Sequence, residues 1–137
     1  MKNPDITLII TNWNGKDLLR ECLPSVLKAV AFDSKRNYEI MVVDDCSTDD
    51  SLAILEKEFP EVRRVKTPVN LGFQRANNYG IEQTQSRLVM PMNNDIKLDE
   101  DALFHLAEHF EKGNVFSVSG MFFGFDGKTF LYGNRGG

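Results

Sequence analysis

Long apolar runs, surplus positive charge and a cysteine framework are all missing from this sequence, and each absence excludes something. No stretch approaches the ~20 apolar residues of a membrane-spanning helix, and Met1-Lys-Asn-Pro-Asp5 leads straight into a strand-like segment without a signal-peptide core. A soluble, cytoplasmic chain is expected, at most peripheral to the inner face of the plasma membrane in the full-length protein. Lys and Arg number 16 against 20 Asp and Glu, a formal net charge of −4. That balance argues against nucleic acid or an anionic membrane as partner, because both are bound through excess cations. The two cysteines, Cys22 and Cys46, lack metal-ligand spacing and read as free thiols in a reducing compartment, one on a helix face and one in a loop. Also missing are the GxxxxGK(S/T) loop and the GxGxxG fingerprint that cradle phosphates. There are no internal repeats, linkers or low-complexity segments. At 137 residues, with 42% hydrophobic and 26% charged, the chain reads as one globular domain with a single core.

What is present is an alternation of strand and helix patterns. Ile6 to Thr11 is β-branched and nearly all apolar, as for a strand covered on both faces. It ends in Thr11-Asn12-Trp13-Asn14-Gly15. Leu18, Leu19, Cys22, Leu23, Val26, Leu27 and Val30 then recur at helical spacing, and Pro24 is expected to kink or split that helix. A second buried run, Tyr38 to Val43, ends on Asp44-Asp45-Cys46-Ser47-Thr48-Asp49-Asp50. Ser47, Thr48 and Asp49 suit the start of a helix from about Ser51 to Phe59, with Leu52, Leu55 and Phe59 inward and Pro60 as its stop. Asp44 and Asp45 fit capping less well, since adjacent carboxylates repel unless something binds them. Val62 to Lys66 reads as a short strand near a sheet edge. Asn70 and Gly72 form a turn before a helix from about Phe73 to Thr84. Its Asn77, Asn78 and Gly80 are poor helix formers, which points to close approach rather than helix strength.

The run from Leu88 to Met92 reads as a buried central strand, although Pro91 within it calls for an edge, a bulge or the exit of the sheet. It stops at Asn93-Asn94-Asp95, which either caps the next helix as a polar turn or binds a ligand at the strand end. Asp99, Glu100 and Asp101 open a helix to about Phe110 that buries Leu103, Leu106, Ala107 and Phe110, closed by Lys112-Gly113-Asn114. Val115 to Tyr132 reads as strand-rich with a tight hairpin at Asp126-Gly127, and the tail 133–137 as mobile. The alternation predicts an α/β domain of three layers, α/β/α, around a mostly parallel sheet. The polar clusters after the first, second and fourth strands would then converge at one sheet edge. The set is acidic, amide-rich and aromatic. It becomes a diphosphate site if Asp95 holds Mg²⁺ or Mn²⁺, with Trp13 against a base and Asp45 accepting from a base N–H.

Four segments together carry a family resemblance. Ile9-Ile-Thr-Asn-Trp-Asn-Gly15 resembles the opening "NYN/NWNG" loop of family 2 glycosyltransferases with the GT-A (Rossmann-like) fold. Val42-Val-Asp-Asp-Cys-Ser-Thr-Asp49 resembles their "VVDNxSTD" segment, and Asn70-Leu-Gly-Phe-Gln-Arg-Ala-Asn-Asn-Tyr-Gly-Ile81 their "NxGFxxANNxGI". Met92-Asn-Asn-Asp95 resembles "LNxD", a variant of the DxD metal motif. These segments span most of residues 6 to 96 in the family's order, and the bacterial rhamnosyl- or galactofuranosyl-transferase-like members are the nearest in kind.

The resemblance implies a nucleotide-diphospho-sugar donor, such as a UDP-, dTDP- or GDP-sugar, and a saccharide or lipid-linked acceptor in cell-surface polysaccharide synthesis. It places Thr11, Trp13, Asp44 and Asp45 at the base and ribose. Asn70, Gly72, Arg75 and Asn78 fall along the nucleotide and sugar-phosphate side. Asn94 and Asp95 fall at the donor, with Asp95 as ligand to Mg²⁺ or Mn²⁺, and Asn12 and Asn93 complete the binding set. Asn93 stands where DxD has its first acid, and a neutral amide holds a cation more weakly. The general base of inverting members lies well downstream. The later acids here, Asp99, Glu100, Asp101, Glu108, Glu111 and Asp126, read instead as caps, exposed helix residues and a turn, so no catalytic base is assigned. The expectation is the donor-binding portion of a GT-A domain whose acceptor portion is missing, inactive alone, and self-associating through an apolar patch at Phe122 to Phe130. The alternative is a nucleotide-sugar-binding module without turnover. A sugar-nucleotide pyrophosphorylase needs a Gly-rich basic loop after the first strand. A phospho-acceptor receiver domain needs acids there, where this chain has Thr11-Asn12.

Overall fold

A computed structural model describes residues 3–124 and 126–132; Phe125 and the tail 133–137 lie outside the described residues. The elements run β1 (Ile6–Asn12), α1 (Lys16–Phe32), β2 (Tyr38–Asp44), α2 (Ser51–Glu58), β3 (Arg63–Lys66), α3 (Phe73–Glu82), β4 (Leu88–Asn93) and α4 (Ala102–Glu108). A 3₁₀ turn over His109–Lys112 and the short strands β5 (Phe122–Phe123) and β6 (Phe130–Tyr132) follow. The first four strands form one parallel sheet in the order β3-β2-β1-β4.

That order dictates the layers. The chain steps outward from β1 to β2 to β3, then returns past β1 to β4. A right-handed crossover in one direction puts its helix on one face, and reversal puts the next helix on the other. Accordingly α1 and α2 pack on the face formed by Ile6, Leu8, Ile10, Ile40 and Val42, joined by Leu103 and Ala107 of α4. The returning helix α3 packs Ala76 against Ile9, Met41 and Val43 on the opposite face. The expected three-layer α/β/α architecture is therefore present.

Close approach at α3 has a specific cause. A Cβ on Gly80 would lie 2.6 Å from Val43 Cγ2 and 2.9 Å from Ile9 Cγ2. Both neighbours are fully buried and β-branched, hence stiff at χ1. On either side of this contact, hydroxyls and amides replace apolar packing. Thr7 Oγ1 meets Thr84 Oγ1 at 2.7 Å, and Thr11 Oγ1 donates to Asn77 Oδ1 at 2.8 Å.

Several expectations are corrected. Helix α1 runs unbroken through Pro24, held by Leu23 and Val26, both fully buried on either side of it. Its inward face includes Ala29, whereas Leu18 is exposed. In α2, Ile54 is buried and Leu52 only half-buried. Strand β4 is not central: it closes one edge of the described sheet, and Val89 and Pro91, on its α3 side, are exposed. The cluster on the α3 side draws on β1 and β2, with Val65 of β3 packed against it, and includes no residue of β4. Leu106 and Phe110 are half-buried, and Gly113 closes the 3₁₀ turn with φ +80°, the left-handed cap expected of it. Among the described residues after Val115, strand structure is limited to β5 and β6, which pair antiparallel. Asp126 accepts from Lys128 N and Thr129 N, and Gly127 has φ +71°, so the tight turn is where the sequence put it. Phe116 is 99% exposed and Phe123 is also exposed, while Phe122 is half-buried.

Gly80→Ala is expected to destabilise the domain by about 1–2 kcal/mol, because overpacking two stiff side chains outweighs the helix-propensity gain of about 1 kcal/mol. Urea denaturation of the two proteins checks this; equal or greater stability of the variant would show that the contact is not tight.

Candidate functional site

Parallel register brings the strand ends level. Asn12 pairs with Asp44, Asp44 with Lys66, and Thr11 with Asn93. The loops leaving β1 and β4 lead to α1 and α4 on one face of the sheet, while the loop leaving β3 leads to α3 on the other; the strand order reverses at β1, and the carboxyl ends there are the usual ligand position in such sheets. A cleft of about 500 Å³ lies there. Its lining includes Thr11, Trp13, Asp45, Asn70, Gly72, Asn93, Asn94 and Asp95, all selected from the sequence. Asn14, Gly15, Leu18 and Phe73 also line it and were not selected. Asn14, Gly15 and Phe73 stand inside the motif segments and could have been found there; Leu18 was hidden by its place in the helix stripe.

Four selected residues lie elsewhere. Asn12 and Asp44 are completely buried and do not line the cleft, and Arg75 and Asn78 are exposed on α3 away from its lining. Asn12 is the hub beneath the floor. Its Nδ2 donates to Asp44 Oδ1 at 3.1 Å, and its Oδ1 accepts from Asn94 Nδ2 at 2.9 Å. Asp44 also accepts from Ser47 N at 3.0 Å and Ser47 Oγ at 2.6 Å.

The neighbouring carboxylates do not need a ligand to coexist. Asp45 faces away from Asp44 and accepts from Thr67 Oγ1 (2.8 Å), Leu71 N (2.7 Å) and Gly72 N (2.9 Å). Asn70 Nδ2 donates to the Asp45 carbonyl at 3.0 Å. Asp45 thus orders the loop before α3. A carboxylate offers about four lone-pair positions, so one on Oδ2 remains for a further donor.

Gly15 is needed for the hub. A Cβ there would come within 2.6 Å of Asn12 Oδ1 and closer still to Asn94 Nδ2, wedging the Asn94–Asn12 bond apart. The same bond orients the Asn94 amide and leaves its Oδ1 free. Asp95 is exposed beside it at the head of the cleft. Among the described residues no three His, Cys, Asp or Glu side chains gather as a closed metal cage. One carboxylate with amide oxygens nevertheless suits Mg²⁺ or Mn²⁺, which keep waters and take substrate phosphate oxygens.

The N-cap of α2 is Asp50, which makes no side-chain cap bond, rather than Ser47, Thr48 or Asp49; Asp49, just before it, supplies the acceptor. Asp49 accepts from Ser51 N at 2.9 Å and from Lys16 N at 3.2 Å, so one carboxylate serves the starts of two helices. Burial favours its neutral form, but the Ser51 hydroxyl and these amides outweigh that and hold its carboxyl below the usual range. Burial, with Asp95 adding to it, pushes the Cys22 thiol up to about 12, which makes it an inert core residue. Both cysteines are free, as expected. No described helix is long and apolar enough to cross a membrane.

Comparison with known proteins meets this geometry. The profile described as glycosyl transferase family 2 matches residues 7–136. The chain belongs to that family. It is 31% identical over 121 residues to the putative teichuronic acid biosynthesis glycosyltransferase TuaG of Bacillus subtilis, covering 85% of this chain and 46% of that protein. It is 30% identical over 109 residues to the poly-β-1,6-N-acetyl-D-glucosamine synthase of Staphylococcus epidermidis, covering 78% of this chain and 26% of that one. Among solved structures, S. aureus TarS in complex with UDP-GlcNAc matches with TM-score 0.68 and 25% identity over 79% of this chain and 31% of that chain. The mannosyltransferase PcManGT of Pyrobaculum calidifontis, solved with GDP-Man and Mn²⁺, shares the fold with TM-score 0.69 at 21% identity, over 80% of this chain and 33% of that one. The chain spans less than half the length of these relatives. Its fold is that of GT-A glycosyltransferases.

Two outcomes follow for this family 2 chain. Gly15→Ala should cost about 1–2 kcal/mol of stability, and about 1 kcal/mol less when introduced into Asn94→Ala, since the wedged bond is then already gone; a thermal-denaturation double-mutant cycle reads the coupling, and strict additivity would refute it. Because the folded Asp49 pKa is depressed, its stabilising contribution is complete above the unfolded carboxylate value and is lost as pH falls below about 4 through the lower folded value. Asp49→Asn should therefore flatten the acid limb of the stability–pH curve as pH falls through and below the ordinary carboxylate range.

Proposed function

We propose that this chain is the donor-binding part of a glycosyltransferase that moves a sugar from a nucleoside diphosphate to an acceptor hydroxyl in cell-surface polysaccharide synthesis. The observation that carries the reading is the cleft at the β1–β4 switch point, whose lining brings together Asp95, the amides of Asn93 and Asn94, Trp13 and Asp45. The chemistry of a diphosphate donor matches that set. Trp13 supplies an exposed aromatic face for a base, and the open lone pair of Asp45 Oδ2 accepts a base or ribose donor. In this reading Thr11, Asn70 and Gly72, which share the cleft lining, border the nucleotide, and Asn93, Asn94 and Asp95 receive the diphosphate.

Mg²⁺ or Mn²⁺, held by Asp95 with the free amide oxygens of Asn93 or Asn94, would neutralise charge on the departing diphosphate. The chain's own residues bind and orient. The acceptor oxygen attacks the anomeric carbon as the bond from that carbon to the diphosphate oxygen breaks, and the electron pair leaves with the diphosphate. The hydroxyl proton needs a base. Among described acids only Asp45 and Asp95 line the cleft, and Asp45 is already committed to three protein donors. In this reading the base and the acceptor site belong to a longer protein, as the length of the relatives supports. A donor of this kind also supports a place at the cytoplasmic side of the membrane. Arg75 and Asn78, outside the cleft lining, would reach the donor only with a rearrangement of α3 or of a long side chain.

Calorimetric titration with UDP, dTDP and GDP, with and without Mn²⁺, tests the reading on this chain and on Asp95→Ala. Metal-dependent binding of one nucleotide is expected, with Asp95→Ala weakening it at least about tenfold, the equivalent of 1.4 kcal/mol. Absence of binding to a folded chain, and again to a longer form of the protein, would overturn it.

A further inference from the structure

The loop that carries Trp13 is held by a residue with no role in the reading above. Asn14 has φ +51°, a left-handed conformation that Asn tolerates and most residues avoid. Its Oδ1 accepts from Thr48 N at 2.7 Å, Asp49 N at 3.2 Å and Thr48 Oγ1 at 3.3 Å. Its own backbone N donates to Ser47 Oγ at 2.9 Å. Two backbone amides facing one side-chain atom fix which end of the carboxamide is the oxygen. On the other side of Trp13, Asn12 is buried in the hub. The Trp13 backbone is thus pinned at both neighbours, while its indole remains 61% exposed in the cleft.

These bonds are not required by either loop alone. The Thr48 and Asp49 amides are on the surface, where water could replace Asn14, and α1 already has Lys16 N bound to Asp49. What the Asn14 side chain adds is three further bonds between the loop after β1 and the loop after β2, placed at the residue next to Trp13. We infer that Asn14 is a positioning residue, which locks these two loops together so that the Trp13 ring is set for a nucleotide before the nucleotide arrives. A site assembled in advance loses less freedom on binding. The inference rests on the nucleotide-donor reading for its affinity arm, but not for its structural arm.

Trp13 is the single tryptophan of the chain, so its fluorescence reports this loop alone. Time-resolved anisotropy is to be measured without nucleotide on the wild type, Asn14→Gly and Asn14→Asp. Glycine keeps the left-handed backbone and the backbone bond to Ser47 and removes only the side-chain bonds to Thr48 and Asp49; aspartate keeps both the backbone preference and an acceptor oxygen. The expected result is a new nanosecond depolarising component in Asn14→Gly and wild-type decay in Asn14→Asp. UDP or GDP, whichever the wild type binds, should then bind Asn14→Gly about tenfold more weakly, comparable to the loss of one or two hydrogen bonds. Measurements run well below each variant's melting temperature separate this from unfolding. Wild-type anisotropy decay in Asn14→Gly would overturn the inference, as would a mobile Trp13 with undiminished affinity. If the wild type binds no nucleotide while Asn14→Gly still loosens Trp13, the donor reading fails and the positioning claim falls with its affinity arm; the loop cross-link alone survives.

Discussion

Both ends of one buried carboxamide are used at the carboxyl end of the central strand. Asn12 reaches β2 through Nδ2 and Asp44, and reaches the residue after β4 through Oδ1 and Asn94. An amide can do this because it carries a donor and an acceptor on one rigid plane, which neither a carboxylate nor a hydroxyl side chain supplies. The cleft is the space between the strands that Asn12 joins. If its bonds were lost, the ends of β1, β2 and β4 would keep their backbone ladders but lose their mutual register at the loops. Gly15 follows from the same constraint, since any side chain there would enter the Asn94–Asn12 contact.

The acid pair at the end of β2 shows how such a floor tolerates charge. Successive residues point to opposite sides of an extended strand. Asp44 therefore turns to Asn12 and Ser47, while Asp45 turns to Thr67 and the amides of Leu71 and Gly72. Each buried carboxylate is stabilised by its own donors, and the local repulsion is relieved by separation rather than by a bound cation. Among the described residues no buried side-chain polar atom lacks a partner. Adjacent acids at a strand end are thus weak grounds for inferring a ligand, and the stronger ground is their position at the switch point.

Much of the architecture was legible because buried parallel strands have a distinctive composition. Ile6 to Asn12 and Tyr38 to Asp44 are β-branched runs of the right length, each ending abruptly in polar residues. Gly80 was legible as a place of close approach, since nothing about helix propensity favours it. The edge position of β4 is consistent with Pro91, which lacks the N–H a central strand needs, whereas the apolar run from Leu88 to Met92 points the other way. Other features depend on tertiary partners that local pattern does not encode. Continuity through Pro24 depends on the burial of Leu23 and Val26. Most of the cleft lining was found among the polar and aromatic residues after the strands, although Asn14, Gly15 and Phe73 were passed over there, and Leu18 was missed because an apolar side chain at helical spacing reads as core.

A floor whose polar groups already satisfy one another has little left for a ligand. Asp45 retains one lone pair, Asn94 one amide oxygen, and Asp95 its exposed carboxylate. In the proposed reading, affinity beyond that of a cation at Asp95 comes from the rim, where Trp13, Leu18 and Phe73 are exposed. Covering such surface yields about 25 cal/mol per Å², and does so without regard to orientation. Orientation falls to the few open valences beneath. This division explains why a rigid floor and a well-placed rim belong together. Apolar contact on a wandering Trp13 would add affinity in many poses, whereas the same contact on a fixed ring adds it only where Asp45 and Asp95 can also be reached. The fixed loops after β1 and β2 therefore contribute specificity through geometry, with most of the recognition built before any ligand enters.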